Sequence, residues 1–185
     1  MSTHLNSAVL GLDVSTSITG ATVLDRSGNL LYSEAWDTRN KKHFPTLFHK
    51  ASIIKGRLEG LKCQFEIESV FIEQSLQSFR SGFSSAQTLS TLSKFNGIVS
   101  WFCYEVFEEE PEMIAASSAR KRAGIKLDRT KDTKQQILDF YLDKNPSVVI
   151  EYTHKGNPKP QYKDIADSWV IAKAGLGICL ERNTT

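Results

Sequence analysis

Four acidic residues in this chain stand where a fold could bring them together. Asp13 closes the apolar run AVLGLD (residues 8–13), and Glu73 closes SVFIE (69–73). A strand that ends in an acid delivers that side chain to the rim of a sheet, where sites are built. Asp164 and Asp167 lie three apart in KDIADSWVIAKAG (163–175). On a helix, residues i and i+3 share one face. The apolar Ile171 and Ala174, in register with the two acids, turn that face toward the sheet. Four carboxylates brought together repel one another unless a cation is present. Mg²⁺ and Mn²⁺ take oxygen ligands of this kind. Two such ions can activate a water and stabilise the leaving oxygen of a phosphodiester. Singly, each acid has a plainer account. Asp164 and Asp167 suit the first turn of a helix, where the macrodipole favours acids, and Glu73 suits an ordinary strand end. The four in this order carry the argument.

The elements that must position them follow from pattern. Residues 8–13, the stretch VSTSITGATVLD (14–25) and LLYSEAW (30–36) read as three strands joined by tight turns, the second marked by DRSGN (25–29). From about Pro45 to Leu61, Leu47, Ile54, Leu58 and Leu61 recur at helical spacing. Residues 68–73 form a fourth strand, and a Ser/Gly-rich loop follows. A long helix runs from Ser84 or Ser85 to about Phe107, and Pro111 marks its end. Residues 113–116 read as a short strand, 134–142 as a helix, 148–150 as a brief extension and 163–181 as the last helix. Strands first, then strands alternating with helices, predict an α/β protein with a mixed sheet and helices packed on it.

The 185 residues suit one domain over 1–185. No apolar stretch approaches a membrane span. The N-terminus has no basic region followed by an apolar one, so secretion is not expected. Cys63, Cys103 and Cys179 form no CxxC pair and read as buried, reduced thiols. The net charge of +2 is small, but residues 120–134 (RKRAGIKLDRTKDTK) concentrate seven cations against two acids. Such a segment is either a solvated loop or a seat for a polyanion, of which nucleic acid is the commonest.

The motifs LGLDVSTSITGATVLD, VFIEQSL, AQTLSTLSKFNGIVSWF, ARKRAGIKLDRTKDTKQQILDF and YKDIADSWVIAKAG, in that order, resemble the RuvC-type Holliday junction resolvases of the RNase H-like superfamily. The resemblance spans nearly the whole chain. It implies an RNase H-like fold with a five-stranded mixed sheet flanked by helices. It also implies a homodimer that nicks two opposed strands of a four-way DNA junction symmetrically, leaving 5′-phosphate and 3′-hydroxyl ends. Two Mg²⁺ or Mn²⁺ ions per site would be held by Asp13, Glu73, Asp164 and Asp167. Lys134, Arg120 and Lys121 best match the family's phosphate-contacting bases, and Arg122 and Lys131 extend that basic set. The turn after the first acid reads Val14-Ser15 instead of Pro-Gly, as in a divergent member of the kind a phage or virus encodes. The aromatic that opens the junction in bacterial members is replaced by Leu76, and Phe79 offers a substitute wedge. The helix 84–107 carries more large apolar residues than one buried face needs. Leu92, Phe95, Trp101 and Phe102 are its candidate dimer contacts. The expected setting is the cytoplasm or nucleoid, or the host cytoplasm for a phage protein.

Other readings share some of these features. A nuclease of the same fold could act on flaps, forks or other branched DNA. A binding-only module of this fold would not need Asp13. An actin-like or sugar-kinase-type ATP-binding protein also opens with strand, acid and small residues, but needs two lobes and a second glycine-rich phosphate loop. This chain has neither.

Overall fold

A computed structural model describes residues 7–74 and 86–184. Leu76 and Phe79 lie outside the described residues. The elements in chain order are β1 (Ser7–Asp13), β2 (Ile18–Asp25), β3 (Leu30–Asp37), α1 (Leu47–Gln64), β4 (Glu66–Glu73), α2 (Ala86–Phe107), β5 (Glu112–Ile114), α3 (Ala116–Arg122), α4 (Thr133–Lys144) and α5 (Gln161–Arg182). The five strands form one mixed sheet in the order β3-β2-β1-β4-β5. The β1–β2 and β2–β3 pairs are antiparallel, and β1–β4 and β4–β5 are parallel. This is the mixed sheet that the strand and helix pattern predicts, with the five strands and flanking helices that the resemblance implies.

Helices cover both faces of the sheet, and the alternation of strand side chains decides which residue faces which layer. Ala8, Leu10 and Leu12 of β1 pack with Ala51, Ile54, Leu58 and Leu61 of α1 and with Phe95, Val99 and Cys103 of α2. The opposite parity, Val9 of β1 with Leu24 of β2 and Phe71 of β4, packs with α5, with Ile137, Leu138 and Tyr141 of α4, and with Ala119 of α3. By the same alternation Gly11 and Asp13 lie on the α5 side, as do Gly20 and Glu73.

Four expectations need correction. Residues 116–122, read as the end of a strand and the start of a basic loop, form α3. Residues 148–150 pair with no strand; the one nearby bridge joins Tyr152 to Pro158. Cys103 is buried and Cys179 partly so, but Cys63 is exposed, because it lies on the solvent side of α1. Phe95, read as a candidate dimer contact, is a fully buried core residue. No helix among the described residues is long and apolar enough to cross a membrane.

Candidate active site

Asp13 and Glu73 end neighbouring parallel strands. Leu12 pairs with Ile72, so the two acids emerge side by side at one end of the sheet. On its other side Asp13 pairs with Gly20. That glycine determines how closely α5 can approach. A Cβ on Gly20 would stand 2.1 Å from the Asp164 carbonyl oxygen, and one on Gly11 would stand 2.3 Å from the Ala172 nitrogen. The backbone of α5 therefore rests on bare strand backbone at two points. A buried hydrogen bond between the Thr22 and Ser168 hydroxyls, 2.8 Å long, pins the same contact. Ile171 and Ala174 are buried beneath the helix. Asp164 and Asp167 sit on that face, one turn before them, and so overhang the end of β1.

Lys134, in the first turn of α4, reaches into this group. Its ammonium lies 3.6 Å from Asp164 Oδ1 and 3.2 Å from Asp167 Oδ2. Burial, then the negative charges of Glu73 and Asp167, push the Asp13 carboxyl well above the usual carboxylate range; Lys134 partly offsets them. Burial and the Asp167 charge push Glu73 up to about 7, against the opposing pull of Arg120 and Lys134. Burial also raises Asp164, with Lys134 and Arg39 pulling the other way. Lys134 itself is raised, because Asp167, Asp13 and Asp164 together outweigh its burial. The four sequence-predicted acids thus share one electrostatic site, with one lysine as its counter-charge. Their hard oxygen donors suit a divalent cation, and so do the burial and mutual repulsion that disfavour the charged forms of Asp13 and Glu73 without one. As the side chains stand, no three His, Cys, Asp or Glu among the described residues are grouped to hold a metal ion.

The basic residues separate into two sets. Lys134 belongs to the acid cluster, and Arg120 lies close enough to influence Glu73. Lys121 is exposed on α3. Lys131 sits 3.7 Å from Asp128. Arg122 pairs with Glu181 at 3.0 Å, near the end of α5 remote from Asp164 and Asp167. Two contributors went unread in the sequence. Asn96 of α2 is buried and donates from Nδ2 to the Glu73 carbonyl at 3.4 Å. Arg39, just after β3, adds positive charge near Asp164. An amide inside an apolar helix face and a basic RNKK run were the available signals.

No family model and no curated protein matches the sequence. Solved structures do match the fold. RuvC of Thermus thermophilus in complex with Holliday junction substrate superposes with TM-score 0.68 at 15% identity, over 95% of this chain and 96% of that one. The yeast mitochondrial Holliday junction resolvase Ydc2 gives 0.59 at 14% identity, over 97% and 83%. Fowlpox virus resolvase, solved with its substrate Holliday junction DNA, gives 0.52 at 15% identity, over 94% and 99%. Across nearly its whole length, this chain has the fold of the RuvC-like resolvases.

Proposed function

We propose that this protein is a metal-dependent DNA endonuclease that cuts four-way junctions by paired nicks. The observation that carries the reading is the meeting of Asp13, Glu73, Asp164 and Asp167 at one end of a sheet whose fold is that of junction resolvases. These four carboxylates would hold Mg²⁺ or Mn²⁺, hard ions that take oxygen donors.

 A bound ion of this kind would supply an activated water and neutralise charge on the phosphodiester. The chain's own groups would do the rest. Lys134, now paired with Asp164 and Asp167, would turn its ammonium to the phosphate of the strand being cut. Water would add across the P–O3′ bond, leaving a 5′-phosphate and a 3′-hydroxyl. Arg120, Lys121 and Lys131 would neutralise flanking phosphates, so binding should weaken steeply with salt. A homodimer through α2 would supply the second site that a symmetric junction requires.

The test is cleavage of a panel of four-way junctions, flaps, forks and linear duplexes with Mg²⁺ or Mn²⁺. Four-way junctions should be cut best, by two symmetric nicks. Asp13→Asn should abolish cutting and keep or strengthen binding, since it removes a negative charge facing the DNA. Retained cutting by Asp13→Asn would overturn the site assignment. Preference for flaps or forks would move the substrate and leave the chemistry in place.

A further inference from the structure

α3 and the segment after it line an open hollow of about 360 Å³. Ser117, Arg120 and Lys121 line it from the helix, and Ile125, Lys126 and Leu127 from the returning chain. Gly124 makes the return possible. Its φ is +80°, and its N–H donates to the Lys121 carbonyl at 3.1 Å. The Ile125 N–H donates to the Arg120 carbonyl at 3.0 Å. Gln136 of α4 fixes the far end, accepting from the Asp128 N–H at 2.8 Å and donating to the Asp128 carbonyl at 2.9 Å.

The lining has two characters. Ile125 and Leu127 are partly buried against the core under α3, α4 and α5, and they form an apolar floor. Arg120, Lys121 and Lys126 form a cationic rim. None of these three enters an ion pair among the described residues, whereas Arg122, Lys131 and Lys134 close by all do. Three cations that form no ion pair among the described residues, set around an apolar hollow, suit a ligand with an anionic edge and a flat apolar body. One rim residue, Arg120, also places its charge where it acts on Glu73, and so links the hollow to the acid cluster.

We propose that this hollow is a nucleotide subsite. It would hold one nucleotide of the DNA strand beside the bond cut at the carboxylates, with phosphate on the rim and sugar and base over the floor. The aliphatic floor offers no hydrogen bond to a base edge, so the subsite would grip the strand without selecting its sequence. The inference rests on the nuclease reading and names where that site holds its substrate.

The experiment measures binding of a labelled four-way junction to the full chain in EDTA, across a salt series, and cleavage separately with Mn²⁺. Lys121→Ala/Lys126→Ala removes two rim charges. Ser117→Trp blocks the mouth without changing charge. Arg26→Ala/Lys62→Ala removes two charges at the opposite end of the sheet. Both hollow variants should weaken binding about tenfold, and the remote pair should stay within about twofold of the unmodified chain. Lys121→Ala/Lys126→Ala should also flatten the salt dependence by about one phosphate contact. Unchanged binding by both hollow variants, or an equal loss in the remote pair, would overturn the subsite. A chain that binds junctions through the hollow but cuts no DNA with Mn²⁺ would overturn the nuclease reading and leave the subsite standing.

Discussion

At the scale of single residues, the candidate site is costly to the fold. Glu73 moves from an ordinary value of 4.5 to about 7 on folding, because burial and Asp167 disfavour its charge. The folded chain therefore binds that proton more tightly than the unfolded one. The cost is absent below about pH 4.5, grows between there and pH 7, and is complete above. With no metal, Glu73→Gln should stabilise the protein at pH 8 by up to about 3 kcal/mol and do little at pH 4.5. Thermal melts in EDTA at the two pH values check this, and a loss of stability at pH 8 would show that Glu73 is not under charge strain. Cys103 follows the same logic. Burial pushes its thiol up to about 12, so at pH 8 a thiol reagent should modify exposed Cys63 quickly and leave Cys103 untouched until the protein unfolds. Peptide mass mapping separates the two, and equal labelling would mean that the core around α2 opens. Residue chemistry was legible in the sequence where acids end apolar runs. The hydrogen bond from Asn96, one amide among apolar neighbours, was not, because its partner is a backbone carbonyl in β4.

At the scale of elements, the site depends on how closely α5 lies on β1 and β2. Gly11 and Gly20 permit this contact, and the atoms a Cβ would meet are backbone atoms that no rotamer change can move. Gly11→Ala should push the middle of α5 outward and cost about 2 kcal/mol or more, as overpacking does. Gly20→Ala acts at the end that carries Asp164, so its main effect should fall on cleavage. We expect at least a tenfold loss of activity, with a fold that still melts cooperatively. Normal cleavage by Gly20→Ala would mean that the seating of Asp164 does not matter. The strands, the long helices and their order could be read from pattern alone. The glycine contacts could not. A glycine inside a strand signals only a weak point or a close approach, and here the approaching helix is about 150 residues away along the chain. The parity of β1 was hidden for a related reason: both faces of the sheet are covered, so the strand is apolar throughout. The helix α3 escaped because its buried residue, Ala119, and the Ala123 that caps it are small and leave little periodic signal.

At the scale of the whole molecule, the question is how one sheet-end site would serve the two-fold-symmetric junction proposed as its substrate. Solved structures sharing this fold at 14–16% identity show that the arrangement of layers outlasts most of the sequence. The α2 helix is where a second copy would fit. One side of it is committed to the core through Phe95, Val99, Cys103 and Val106. Toward α1 it is held by Lys55, which pairs with Glu105 at 3.0 Å and lies 5.4 Å from the Phe102 ring centre. The remaining side exposes Trp101 and Tyr104, 60% and 50% accessible, with ring centres 5.8 Å apart. Large aromatics are the residues most enriched at buried interface centres, and a stable dimer buries upward of roughly 1,200 Å² in total. Trp101→Glu/Tyr104→Glu places two charges at the middle of that face. The unmodified chain should sediment as a dimer, and the variant as a monomer that keeps its fold. Separated sites cannot act together, so the variant should convert junctions to singly nicked product and lose paired cutting. A variant that stays dimeric would place the interface elsewhere. A monomeric variant that still resolves junctions by paired cuts would mean that the two nicks do not require two joined sites.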